Sequence, residues 1–120
     1  MAHTVTILAD HKGATAPRVS GDEYFVDAVI DITSYTANGE IIEASSFGLS
    51  VLNCVVVSGI SIDTISGGYA VSMIAPEIIS GTANGGKYAT SSQSQVQINA
   101  PAASNTDNIG EIRVRAYGLL

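Results

Sequence analysis

The alternation of residues 24–32 constrains this chain more than any other feature. Tyr24, Val26, Ala28, Ile30 and Ile32 fall at every second position, with Asp27 and Asp31 between them. An extended backbone turns successive side chains to opposite faces, so this segment reads as a β-strand buried on one side. A helix would spread the same residues around its circumference. The pattern returns near the C-terminus, where Ile112, Val114 and Ala116 are expected inside and Glu111, Arg113 and Arg115 outside. Val5–Leu8 supplies a first short strand within an N-terminal arm, residues 1–9, and Gln95–Ile98 another.

The middle of the chain carries a different signal. Val51–Val57 is apolar on both faces around Cys54. Such a run predicts a strand covered on both sides, with Cys54 as an inert core residue. Ile60–Ile65 and Tyr69–Ala75 follow as further strands. Turn signals separate the runs: Asn38-Gly39, Ser58-Gly59, Ser66-Gly67-Gly68 and Asn84-Gly85-Gly86. Glycine and asparagine supply the positive φ angles of tight turns. Ser66-Gly67-Gly68 is the best hairpin candidate. The single helical hint is Glu43–Phe47, ended by Gly48, and it fits one turn. Asp10–Asp22 and Pro101–Asn108 read as long loops. No repeat, heptad or domain boundary interrupts residues 1–120. The expectation is one all-β domain, an antiparallel β-sandwich with at most one short helical turn.

Composition narrows the function classes. Charged residues make up 13% of the chain, about half the ~25% of an ordinary soluble domain. The polar surface must come from uncharged side chains, and charge depletion is a property of interface cores. The net charge is −6, and the basic residues are only Lys12, Arg18, Lys87, Arg113 and Arg115. Five scattered cations do not make the clustered surface that a phosphate backbone or an anionic membrane attracts. Cys54 is the sole cysteine, so no intrachain disulfide forms. No apolar run approaches the ~20 residues of a membrane-spanning helix. Met1-Ala2-His3-Thr4 lacks the basic region and apolar core of a signal peptide, so cytoplasmic synthesis is expected.

Chemistry-bearing motifs are missing. The sequence has no GxGxxG, GxxxxGK[ST], GxSxG or HExxH, which removes the common phosphate, nucleophile and zinc signatures. His3 and His11 are the only histidines, and neither stands at zinc spacing from a cysteine or a second histidine. Asp27 and Asp31 on one strand would lie about 13 Å apart, too far for a glycosidase pair. The reading is a protein with no catalytic residue, no metal and no cofactor. A glycan- or receptor-binding module of a tail fibre or adhesin is the alternative to a structural role. It would use Tyr35, Tyr88 and Tyr117 as exposed aromatics, since the chain has no Trp.

One stretch is more specific than composition. It runs Phe25-Val26-Asp27-Ala28-Val29-Ile30-Asp31-Ile32-Thr33-Ser34-Tyr35-Thr36-Ala37-Asn38-Gly39-Glu40 and continues to Ala44-Ser45-Ser46-Phe47-Gly48-Leu49. An alternating strand ends in a Ser/Tyr-rich turn. A Gly-Glu pair, a short polar turn and a Gly-Leu follow. This order resembles the capsid decoration, or cement, proteins of tailed bacteriophages. The final strand Ile112-Arg113-Val114-Arg115-Ala116-Tyr117-Gly118 is similar to theirs as well. The resemblance covers about half the chain and leaves out Tyr69–Asn108. It implies a jelly-roll-like β-sandwich on the virion surface, clustered as a homotrimer and bridging subunits of the major capsid protein. On that reading the docking residues are His3, Thr4, Val5 and Thr6, as a strand added to a partner's sheet edge. The loop with His11, Lys12 and Arg18 is the second candidate, meeting an acidic shell.

Overall fold

The computed structural model describes residues 2–36, 39–62, 72–74, 95–100, 103–104 and 106–120. Eight strands lie among them. They are β1 (Ala2–Ile7), β2 (Arg18–Ser20), β3 (Glu23–Ser34), β4 (Glu40–Glu43), β5 (Val51–Ile62), β6 (Ser72–Ile74), β7 (Gln95–Asn99) and β8 (Gly110–Leu119). All described pairings are antiparallel. The larger sheet has the order β1-β3-β8-β5, with β2 also on β3, and the smaller one has the order β4-β7-β6. The architecture is all-β and sandwich-like, as expected.

Period-two alternation builds the larger sheet. Val26, Ala28, Ile30 and Ile32 of β3 and Ile112, Val114 and Ala116 of β8 are all buried. They face one another in register, Val26 opposite Ala116, Ala28 opposite Val114 and Ile30 opposite Ile112. The smaller sheet contributes Ile42, Val96 and Ile98 to the same core, which is closed by Phe47, Leu49 and Leu52. Burying one such aliphatic side chain is worth roughly 1.5–3 kcal/mol, so these seams carry most of the stability.

The helical hint becomes one 3-10 turn, Ala44–Phe47. Gly48 ends it at φ 76°, and its N–H donates to the carbonyls of Ala44 and Ser45. A side chain in that left-handed conformation would be strained. Gly39 marks another tight place, at φ 124°. A Cβ there would collide with the side chains of Gln97 and Asn99.

Several sequence expectations are corrected. Val51–Val57 is not sheathed on both sides. It begins β5, which among the described residues pairs only with β8. Register shifts fall between Leu52 and Cys54 and between Val57 and Gly59. The first bulge re-aims the strand, so that Cys54 pairs with Tyr117 and is exposed. The second absorbs Ser58-Gly59, which is a bulge inside a long strand and not a turn between two strands. Ile60–Ile62 continues β5, and Ser72–Ile74 is the described part of the Tyr69–Ala75 strand. The Ser66-Gly67-Gly68 and Asn84-Gly85-Gly86 turns lie outside the described residues.

Tyr35 is also reassigned. It is fully buried and its hydroxyl accepts from the Ala100 N–H at 3.0 Å. Its own peptide group is clamped by the following loop: the Tyr35 N–H donates to Asp107 and its carbonyl accepts from Thr106, both at 2.8 Å. The Pro101–Asn108 loop, where described, is therefore fastened to the end of β3. No helix among the described residues is long and apolar enough to cross a membrane.

Candidate protein-binding surface

The strand registers fix what the outer face of the larger sheet presents. Paired residues of antiparallel strands point to the same side. Across β1, β3 and β8, one row reads Thr4, Asp31 and Glu111. The next reads Thr6, Val29, Arg113 and Gly59. Asp27, Arg115 and Val56 form the third row, and Arg18, Phe25, Tyr117 and Cys54 the fourth.

Asp27 is the centre of this face. It is buried on the side opposite the core. Arg115 binds it through two parallel bonds, Nε to Oδ1 at 2.8 Å and Nη2 to Oδ2 at 2.9 Å. Arg18 adds Nη2 to Oδ2 at 2.8 Å. Both guanidinium groups lie over the Phe25 ring, 4.5 and 4.7 Å from its centroid. Phe25 in turn contacts the Tyr117 ring at 5.9 Å. Bidentate arginine pairing and cation–π stacking are the stronger forms of charge contact near a surface. The Arg115 bonds, chiefly, hold the Asp27 carboxyl below the usual carboxylate range, against the cost of burial. Arg115 is raised by the same bond.

A second carboxylate is buried in the core itself. Glu40 pairs with Ile98 and shares the inward face of β4 with Ile42. Its Oε1 accepts from the Thr36 N–H at 3.0 Å. Its Oε2 lies 2.5 Å from His3 Nδ1. A buried carboxylate needs such partners, since an unpaired one is very costly. The contact ties β1 of one sheet to β4 of the other.

The residues expected at the interface divide accordingly. His3 and Val5 point inward, His3 to Glu40 and Val5 against the core. Thr4 and Thr6 point out and are exposed. His11 and Lys12 sit in an exposed turn held by the Asp10 carboxylate, which accepts from the Lys12 N–H at 2.8 Å and the Ala14 N–H at 3.0 Å. These bonds lower the Asp10 pKa. Arg18 is not in that loop. It belongs to β2, a strand hairpinned onto β3, and its guanidinium is engaged by Asp27. The structure thus unites Thr4, Thr6 and Arg18 on one face and leaves His11 and Lys12 apart from them.

Sequence alone assigns none of Asp27, Phe25, Arg115 and Glu40 to a binding site. Alternation does place Asp27 and Arg115 on outward faces, but only the register shows that they are opposite. Glu40 had no such signal, because in Glu40-Ile41-Ile42-Glu43 either face can be the apolar one. No cluster of three or more His, Cys, Asp or Glu side chains suited to a metal exists among the described residues. Neither a protein-family model, nor a curated protein, nor a solved structure matches this chain.

Proposed function

We propose that this chain is a phage virion protein that decorates the outside of the head and cements neighbouring subunits of the major capsid protein. The observation that carries the reading is the character of β1. Among the described residues it pairs with β3 alone. Its sequence, Ala-His-Thr-Val-Thr-Ile, contains no lysine, carboxylate or proline. Free sheet edges are usually guarded by charge, proline or a bulge against pairing with other chains. An edge guarded by none of the first two, and irregular only at its start, is suited to receive a strand from a partner. The resemblance of 25–49 and 112–118 to cement proteins points the same way.

Such a role needs no chemistry. It needs a rigid fold and many weak contacts. Bridging two capsid subunits makes the second contact intramolecular, so modest interfaces sum to firm attachment. Binding only the assembled shell stabilises that shell by linkage. The jelly-roll wiring implied by the resemblance belongs to this proposal. The glycan-binding alternative is weakened by Tyr35, whose ring is inside the core.

The test is to add purified protein to phage heads stripped of it. Saturable binding and a higher temperature of genome release are expected. A Thr4→Lys/Thr6→Lys variant should fold normally and bind at least ten-fold more weakly. Heads that take up no wild-type protein would end the proposal.

A further inference from the structure

The outer face of the larger sheet holds a charge pattern that its own strands do not resolve. Asp31 and Glu111 stand directly opposite each other on β3 and β8. Like charges in that relation are destabilising, and neither carboxylate has an ion-pair partner among the described residues. One row away, Arg113 is exposed, and among the described residues its side chain donates only to the Ser58 hydroxyl, at 3.2 Å. Beyond it, two arginines share the single carboxylate Asp27. The face therefore has an anionic band and a cationic band side by side. Glu111 and Arg113 are about 7 Å apart along β8 by strand rise.

We propose that this face pairs with the same face of a second copy of the chain, about a two-fold axis that runs across the strands. Such an axis reverses strand direction and lays the Arg113 row of each copy over the Asp31–Glu111 row of the other. Both halves of the complementarity are on one surface, as an isologous interface requires. Thr4, Thr6 and Val29 flank the bands without adding charge. Val56, 48% exposed, adds apolar area. Of the whole chain's net charge of −6, this face holds little: Arg18, Arg113 and Arg115 stand against Glu23, Asp27, Asp31 and Glu111. The face is thus close to neutral in an acidic protein, and a second copy meets little net repulsion there. The pairing does not depend on capsid binding.

The test is charge reversal and its complementation, read by analytical ultracentrifugation of the full chain. Wild-type protein should form dimers. Arg113→Glu and Glu111→Arg should each raise the dimer dissociation constant at least ten-fold, because each homodimer then sets like charges together twice. An equimolar mixture should recover wild-type dimerisation, since Arg113 of one variant meets Glu111 of the other and the reversed pair also matches. Both substitutions are at exposed positions, and circular dichroism melts check that the fold is kept. Wild-type monomers at millimolar concentration, a trimer, single variants that dimerise normally, or a mixture that fails to recover would each overturn the inference. Failure to bind stripped heads would leave it standing.

Discussion

β3 and β5 are both twelve residues long, and the sheet treats them differently. β3 is paired along both edges, by β1 and β2 on one side and β8 on the other. Its inner residues are sealed, and even the outward Asp27 is covered by arginines. β5 is the more apolar strand by sequence. Yet among the described residues it has one partner, two bulges and exposed valines, Val56 at 48% and Val57 at 39%. The difference teaches that apolar content alone does not put a strand in the middle of a sheet. Regular alternation does, because each turn of the pleat must present the same side to the same core. A bulge breaks that regularity and lets a greasy strand lie at a margin.

The sharpest way to break this contrast is at the seam where β5 joins β8. A Cβ on Gly118 would overlap the backbone carbonyl of Val51. Backbone cannot yield as a side chain does, so Gly118→Ala should cost upwards of about 3 kcal/mol in urea unfolding. Ile30→Ala tests the regular strand. It empties a fully buried site in β3 and should cost about 3 kcal/mol with an unchanged denaturant slope.

Asp27→Asn comes next, at about 2 kcal/mol, since it leaves two guanidinium groups without their carboxylate. This variant also carries the pH dependence. The Asp27 pKa is depressed from its ordinary 3.8 by the Arg115 bonds, so the folded state binds fewer protons than the unfolded one near that pH. The stability it adds is complete above the unfolded value and is lost as pH falls through the lower, folded value. Thermal melts of the wild type should therefore drop as pH falls below about 4, and those of Asp27→Asn should drop less. Asp10, lowered by two backbone bonds, contributes in the same direction in both proteins.

The smallest effect is expected on the margin. In dilute, monomeric protein, Val56→Thr should change stability by no more than about 0.5 kcal/mol, and Cys54 should react with a thiol reagent. A protected Cys54, or a costly Val56→Thr, would mean that β5 is covered after all.

The limits of the sequence follow the same division. Alternation in 24–32 and 111–116 was enough to place β3 and β8 and to assign their faces, because period two and burial agree there. The Gly48 stop was legible for a similar local reason, a residue whose conformation is its signal. Cys54 was misplaced because a run apolar on both faces has no phase, and a bulge is invisible until the partner strand is known. Tyr35 was misjudged because its burial depends on a loop some seventy residues later in the chain. The Asp27 cluster shows the same limit. Its three charged members come from β2, β3 and β8, and nothing local states that they meet.

The place of β8 has a further consequence, for how the molecule is assembled. It lies between β3 and β5, and its register joins Tyr24 to Gly118 and Val51 to Leu119. Neither neighbour can complete its ladder until this distant segment threads between them. Topologies that depend on such remote closures form slowly. While the slot stays empty, the flanks of β3 and β5 that β8 will cover are open to intruders. Crowded expression should therefore favour clumping before folding is finished, and cooler, slower production should raise the soluble yield.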